Sequence, residues 1–201
     1  MIDQAILLLS KELQSFIGYH DASVNVVIDN IGLMETSRGD SLTNNVVITV
    51  VNIEEESTLK NSPPVRRPFL NSAQYRNPPV FLNLYVLITS NYSGDNYRLA
   101  LRRLGLIIRF VQSKTEFSAS SSSEGGSLDL SEPGISELRF TLELYTLTFE
   151  QINHLWGSLG GRQVPFAMYK LRLVAITDNA LITEVPLIEE IITHHTPVFK
   201  N

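Results

Sequence analysis

The sequence has 201 residues, with 21 acidic and 16 basic side chains for a net charge of −5, and no cysteine. Hydrophobic residues make up 43%, enough apolar mass for a core that needs no covalent staples. The missing cysteines exclude a disulfide framework, a thiolate zinc site and a cysteine nucleophile.

The first segment carries Ile2, Ile6, Leu9, Leu13 and Phe16 at helical spacing, with Asp3 in the first turn and Gly18 placed to end the helix. Its apolar run, Ala5 to Leu9, is too short for a signal-peptide core or a membrane span. The chain therefore reads as soluble and cytoplasmic at synthesis. Val24–Ile31 and Val46–Ile53 follow as strands, separated by a loop with Gly32, Gly39 and Asp40. Ser57 to Pro79 holds five prolines and three arginines without periodicity and reads as a long functional loop. Val80–Tyr92 is apolar almost throughout, as a central strand buried on both faces requires.

Tyr97, Leu101, Leu104, Ile108 and Val111 mark a second helix, with Arg98, Arg102 and Arg109 on its flanks. The Ser/Gly-rich stretch from Ser118 to Pro133 reads as an exposed loop. Glu137–Thr146 alternates, with Leu138, Phe140, Leu142 and Leu144 on one face. Thr148 and Gln151 form a capping box for a short helix with Phe149, Ile152, Leu155, Trp156 and Leu159 inward, ended by Gly160 and Gly161. Strands are expected at Met168–Thr177 and near Leu181–Leu187, and the tail after them shows no helix signal. The sum is one α+β domain, residues 1–192, with a mixed, mainly antiparallel sheet, helices packed on one side and two long loops. Residues 193–201 form an extended tail.

The charge is unevenly spread. Lys60 to Lys114 holds nine basic residues and one acid, a block of +8, against −13 in the remainder. Such a split suits a charged partner, including a second copy of the chain, unless folding interleaves the two sets.

Enzyme signatures are thin. Gly39-Asp40-Ser41-Leu42 spells a hydrolase tag, but no Asp-x-x-His exists to activate Ser41. Arg38-Gly39-Asp40 is an adhesion-like tripeptide that a turn explains. His20, His154, His194 and His195 do not space as metal ligands, and no metal or cofactor is expected. Glu54, Glu55 and Glu56 are neighbours on a strand, so they diverge and read as a solvated rim guarding an edge. No phosphate-binding glycine loop is present. Asn91-Tyr92-Ser93 is a glycosylation sequon in form only. Phe69 and Tyr75 interleave with the arginines, but overall acidity and the lack of a nucleic-acid module argue against DNA or RNA.

Longer runs carry more. Asn52 to Glu56, Tyr75 to Leu87 and Leu99 to Leu104 with Ile108-Arg109-Phe110 form one set; Glu143 to Tyr145, Leu147 to Gly161, Pro165, Tyr169-Lys170 and Arg172-Leu173 form another. Together they resemble the cap, or tail-terminator, family of phage-tail-like extracellular contractile injection systems. The resemblance implies a non-enzymatic part that closes the distal end of tube and sheath as a homohexameric ring. Its partners would be itself and the tube and sheath proteins, with no membrane. It would assemble in the cytoplasm into a particle released from the cell. Some members carry a further C-terminal domain that these 201 residues do not include. An adaptor or assembly chaperone of the same particle, a nucleic-acid-binding protein and a hydrolase through Ser41 remain alternatives.

Unlike patches suit a ring. The candidate interface is Glu54, Glu55, Glu56, Arg66, Arg67, Arg76, Arg102 and Arg103, with Pro197, Val198 and Phe199 in the tail. The edge near Val46–Glu56 or the tail Thr193–Asn201 would donate or accept a strand.

Overall fold

The computed structural model describes residues 1–36, 39–59, 65–69, 72–76, 79–92, 94–129, 131, 134–176 and 181–186. In chain order the elements are α1 (Ile2–His20), β1 (Val26–Ile28), β2 (Asn45–Glu55), β3 (Val65–Phe69), β4 (Ser72–Arg76) and β5 (Val80–Asn91). They continue as α2 (Tyr97–Ser113), β6 (Glu116–Ser118), β7 (Arg139–Leu144), α3 (Phe149–Ser158), β8 (Phe166–Ile176) and β9 (Leu181–Pro186). Two compact units form, one from residues 1–60 and 80–176, the other from 61–79 and 177–201. The expected boundary at residue 192 falls outside the described residues.

The larger unit is built on a six-stranded sheet in the order β1-β2-β5-β8-β7-β6. Only β1 and β2 run parallel; the other pairs are antiparallel. This is the α+β, mixed and mainly antiparallel architecture expected. β5 lies inside, and its alternating residues feed two cores. Leu84, Val86 and Ile88 meet α1 and α2 through Leu9, Leu13, Ile107 and Phe110. Tyr85 and Leu87 point the other way, toward Trp156 of α3 and Ile31. The two long helices thus share one side of the sheet, and the short α3 covers the other.

Local chemistry explains the element ends. The Thr148 hydroxyl accepts from the Gln151 N–H at 3.3 Å, and the Gln151 side chain accepts from the Thr148 N–H at 2.9 Å, so both capping-box bonds are made. α1 runs through Gly18 and ends at Asp21, whose N–H bonds the Ile17 carbonyl at 2.7 Å. β1 is shorter than expected, because Ile31–Glu35 turns into a 3₁₀ helix whose Gly32 N–H bonds the Asn30 side chain. Phe149, expected inward, is 88% exposed, since it sits at the first position of α3, before the helix reaches the sheet. Leu144 at the end of β7 is likewise exposed.

The Ser-rich stretch differs from expectation too. Ala119 and Leu128 enter the core beside α1, as does Phe117 just before the stretch, and the Asp129 N–H donates to the Gln4 side chain at 3.0 Å. The Ser122 hydroxyl bonds Glu12 of α1, which also pairs with Lys114 at 2.8 Å. This segment is a strap on α1.

In the smaller unit, β3, β4 and β9 form a three-stranded antiparallel sheet in that order. Two of its strands come from the segment expected to be a structureless loop. Pro68 hid β3 from a propensity reading, because proline cannot donate to a ladder. It is tolerated here because β3 is an edge strand, with an irregular register between Arg66 and Phe69.

Candidate assembly interface

The candidate residues separate into four groups. Pro197, Val198 and Phe199 lie outside the described residues. Arg66 and Arg67 stand on β3 and Arg76 on β4 of the smaller unit. Arg102 is exposed on α2, and Glu54, Glu55 and Glu56 end or follow β2.

Arg103 requires correction. It is 3% exposed, so it is not part of the free surface. Its Nε and Nη2 donate to Oδ2 of Asp21 at 3.1 and 3.0 Å, and Nη2 also donates to the Ser23 hydroxyl at 2.8 Å. The guanidinium lies 4.2 Å from the centre of the Tyr92 ring. The hydroxyl of Ser23, then Arg103, holds the Asp21 carboxyl below its ordinary range, while burial pushes the Tyr92 hydroxyl up. With Lys114 paired to Glu12, Arg103 and Lys114 of the +8 block are consumed inside the fold.

The glutamates are also partly consumed. Glu54 accepts the Tyr85 hydroxyl at 2.8 Å, and that bond with burial pushes the Tyr85 pKa up to about 12. Glu56 accepts from Asn83 Nδ2 at 2.9 Å and the Thr58 hydroxyl at 2.7 Å, which hold its pKa down to about 2. A folded pKa below the unfolded value adds stability above the ordinary glutamate range, which is lost as pH falls toward 2. Glu56→Gln is therefore expected to flatten the acid side of the stability profile between pH 4.5 and about 2. Urea midpoints measured across that range check it, and an unchanged acid limb would show that the bonds to Asn83 and Thr58 add nothing.

Along β2, β1 pairs only with Val46, Val47 and Ile48. Among the described residues, no strand covers the outer edge of β2 beyond them. An apolar groove of about 600 Å³ follows this flank, lined by Ile2, Ile6, Leu7, Ile28 and Val50, with Asp3 on its lip. Sequence reasoning singled out the strand but not the groove, which needs α1 laid beside β1.

α2 presents the opposite character. Its buried residues are Ala100, Arg103, Ile107, Phe110 and Val111. Tyr97, Leu101 and Ile108, expected in the core, are 43 to 54% exposed. Arg98, Arg102 and Arg109 are exposed beside them. Among the described residues these three arginines make no ion pair.

The enzyme motifs gain no support. Ser41 lies exposed in a 3₁₀ turn, its carbonyl accepting from Asn45 Nδ2 at 2.7 Å. Asn91 of the sequon is buried and donates to the Leu42 carbonyl at 2.8 Å, leaving nothing for a glycan to reach. His20 is exposed against Phe16 and Tyr19, and His154 faces Glu150 at 3.8 Å on the surface. His194 and His195 lie outside the described residues. Among the described residues, no group of three or more His, Cys, Asp or Glu is placed to hold a metal ion, and no helix is long and apolar enough to cross a membrane.

The family model of the Pvc16 N-terminal domain matches residues 4–190. No curated protein matches the chain. Two solved structures share the fold. The sheath/tube terminator of the PVC extracellular contractile injection system, in its extended state, is 13% identical with a TM-score of 0.64; 98% of this chain and 64% of that one are covered. The tube-terminating cap of the anti-feeding prophage is 13% identical with a TM-score of 0.62; 96% of this chain and 61% of that one are covered. The chain thus spans less than two thirds of the length of either structure.

Proposed function

The chain belongs to the Pvc16 N-terminal domain family, and from that membership we propose that it closes the distal end of the tube and sheath of a contractile injection system. It acts as a ring of six copies that stops polymerisation. The observation that carries this reading is the family match over residues 4–190 together with a fold shared with two terminators of such particles. The role is geometric rather than catalytic. Assembly takes place in the cytoplasm, and the ring leaves the cell as part of the particle. The uncovered edge of β2 is a second support, because backbone groups at a sheet edge accept a strand from a neighbouring protein. The tail Thr193–Asn201 is one candidate donor of such a strand.

A ring requires heterologous contacts, one patch meeting a different patch on the next copy. The test is size-exclusion chromatography of the purified chain with mass measurement, followed by negative-stain imaging. Six copies around a narrow channel are expected, and particles made without the protein are expected to carry tubes and sheaths of uncontrolled length. A strict monomer at high concentration, with particle length unchanged by its removal, would overturn the reading.

A further inference from the structure

The larger unit has two exposed apolar flanks of unlike charge, and they lie on opposite sides of the same helical layer. α1 stands over β1 and packs beside α2, which stands over β5 and β8. The outer flank of α1 is the groove of Ile2, Ile6, Leu7, Ile28 and Val50. Its surroundings are acidic. Asp3 stands on the lip, and Asp129 lies near enough to Asp3 to feel its charge, whereas Asp29, just past β1, lies with Thr49, Leu155 and Leu159 on the α3 side. Asp3 is partly satisfied already, by the N-terminal ammonium at 2.9 Å. Lys11 is exposed about two turns beyond Asp3 along α1.

The outer flank of α2 is the complement. At about 100° per residue, Tyr97, Leu101 and Ile108 fall within about 40° of arc and form one ridge. Arg98, Arg102 and Arg109 fall within a second arc of about 40° and form the ridge beside it. The apolar ridge faces away from α1, where it borders a cleft against Val164, Pro165 and Phe166. A helix with an apolar ridge and a row of cations has the form that enters an apolar groove with an acidic lip.

We propose that the α2 ridge of one copy seats in the α1–β1–β2 groove of the next, with Arg98, Arg102 and Arg109 toward Asp3 and Asp129. This rests on the ring reading above and gives that ring its contact. The occupant is a second copy because the charges match, and the position of the flanks sets the geometry. Two patches on opposite sides of one subunit cannot both be satisfied by a twofold pair, so each contact leaves one free ridge and one free groove. The result is a head-to-tail array, which closes into a ring when the rotation per subunit allows. Arg103 takes no part, because Asp21 already holds it.

The test uses the full chain in two variants. Arg102→Glu with Arg109→Glu spoils the ridge, and Asp3→Lys with Asp129→Lys spoils the groove. Each alone is expected to weaken self-association about a hundredfold, the scale on which like charges brought together act, and to run as a monomer with unchanged circular dichroism. Mixed in equal amounts, they are expected to rebuild rings of alternating variants, because the sound ridge meets the sound groove and the Glu-bearing ridge meets the Lys-bearing groove with the charges exchanged. Leu101→Ser with Ile108→Ser, which keeps every charge, is expected to prevent assembly as well.

If both charge variants still form rings like the wild type, this contact is wrong and the ring reading stands. If each variant is folded and monomeric but the mixture stays monomeric too, the charge pairing across this contact is wrong. A wild type that stays monomeric at every concentration removes the ring and this contact together. DNA retention at about 0.2 M salt that depends on Arg102 and Arg109, with self-association unaffected, would reassign the arginines to nucleic acid and overturn the proposal.

Discussion

Replacing Asp21 with alanine is expected to destabilise the chain by about 3–4 kcal/mol, because it leaves the buried Arg103 guanidinium without its counter-charge. Only the Ser23 hydroxyl and the face of Tyr92 would remain against that cation. The reverse change is expected to cost less. Arg103→Met keeps an unbranched side chain in the same space, and Asp21, itself 20% exposed, stays in reach of water and Ser23, so about 1–2 kcal/mol is lost. The double variant should lie close to Arg103→Met, since no buried charge is left unpaired, and the departure from additivity measures the pair. Urea unfolding of the four proteins decides it. Additive effects, with Asp21→Ala below 1 kcal/mol, would mean that Arg103 is solvated where it sits. The pH dependence has a fixed sign. Ser23 and Arg103 lower the Asp21 pKa on folding, so its contribution is present above the ordinary value of 3.8 and fades as pH falls below it. Because this pair is internal, the folded fraction of each variant is expected to assemble normally, unlike the variants of the α2 surface.

Arg103 also shows where the sequence was misleading. The spacing of apolar letters put Tyr97, Leu101, Leu104, Ile108 and Val111 on the buried side of α2. The observed buried side is turned by about a quarter of the helix, onto Ala100, Arg103, Ile107, Phe110 and Val111. Periodicity counts an arginine as exterior. Only Asp21, 82 residues earlier in the chain, makes it an interior residue, and no local pattern reports such a partner. The same rotation turned presumed core residues into an exposed ridge, so the strongest candidate surface on α2 was hidden by the reading that named its arginines. What was legible had local causes: the apolar face of α1, the continuous apolar run of β5, the capping box of α3. The groove beside β1 was not legible, because it comes from residues near 2–7, 28 and 50 brought together by the fold. The Pro/Arg segment was half legible. Its prolines argue correctly against a central strand, but they permit an edge strand such as β3.

The Ser-rich segment supplies the other large effect. Its composition reads as solvated chain, yet it is fastened at its start by the aromatic contacts of Phe117 and at its end by Leu128 and the bond from Asp129 to Gln4, none of which composition can show. Phe117 is fully buried in a strand of three residues, stacked on Phe140 with centroids 5.2 Å apart and tilted against Phe110 at 5.7 Å. Phe117→Ala is expected to cost about 3–5 kcal/mol, the range for opening an aromatic-sized cavity in a packed core. β6 would have little left to hold it, since it pairs only with Arg139, Phe140 and Thr141. The loss should therefore spread along the strap rather than stay at the cavity. Amide exchange is expected to quicken at Ala119, whose N–H bonds the Leu138 carbonyl, and at Leu128. Phe140→Leu, which keeps most of the volume, is expected to cost far less and to leave the strap protected. A loss below 1 kcal/mol for Phe117→Ala, or exchange that stays slow from Ala119 to Leu128, would show that the strap is held by its polar ties to Glu12 and Gln4 instead. Either result bears on assembly, because the strap ends at Asp129 beside Asp3, on the lip of the groove that takes the next copy.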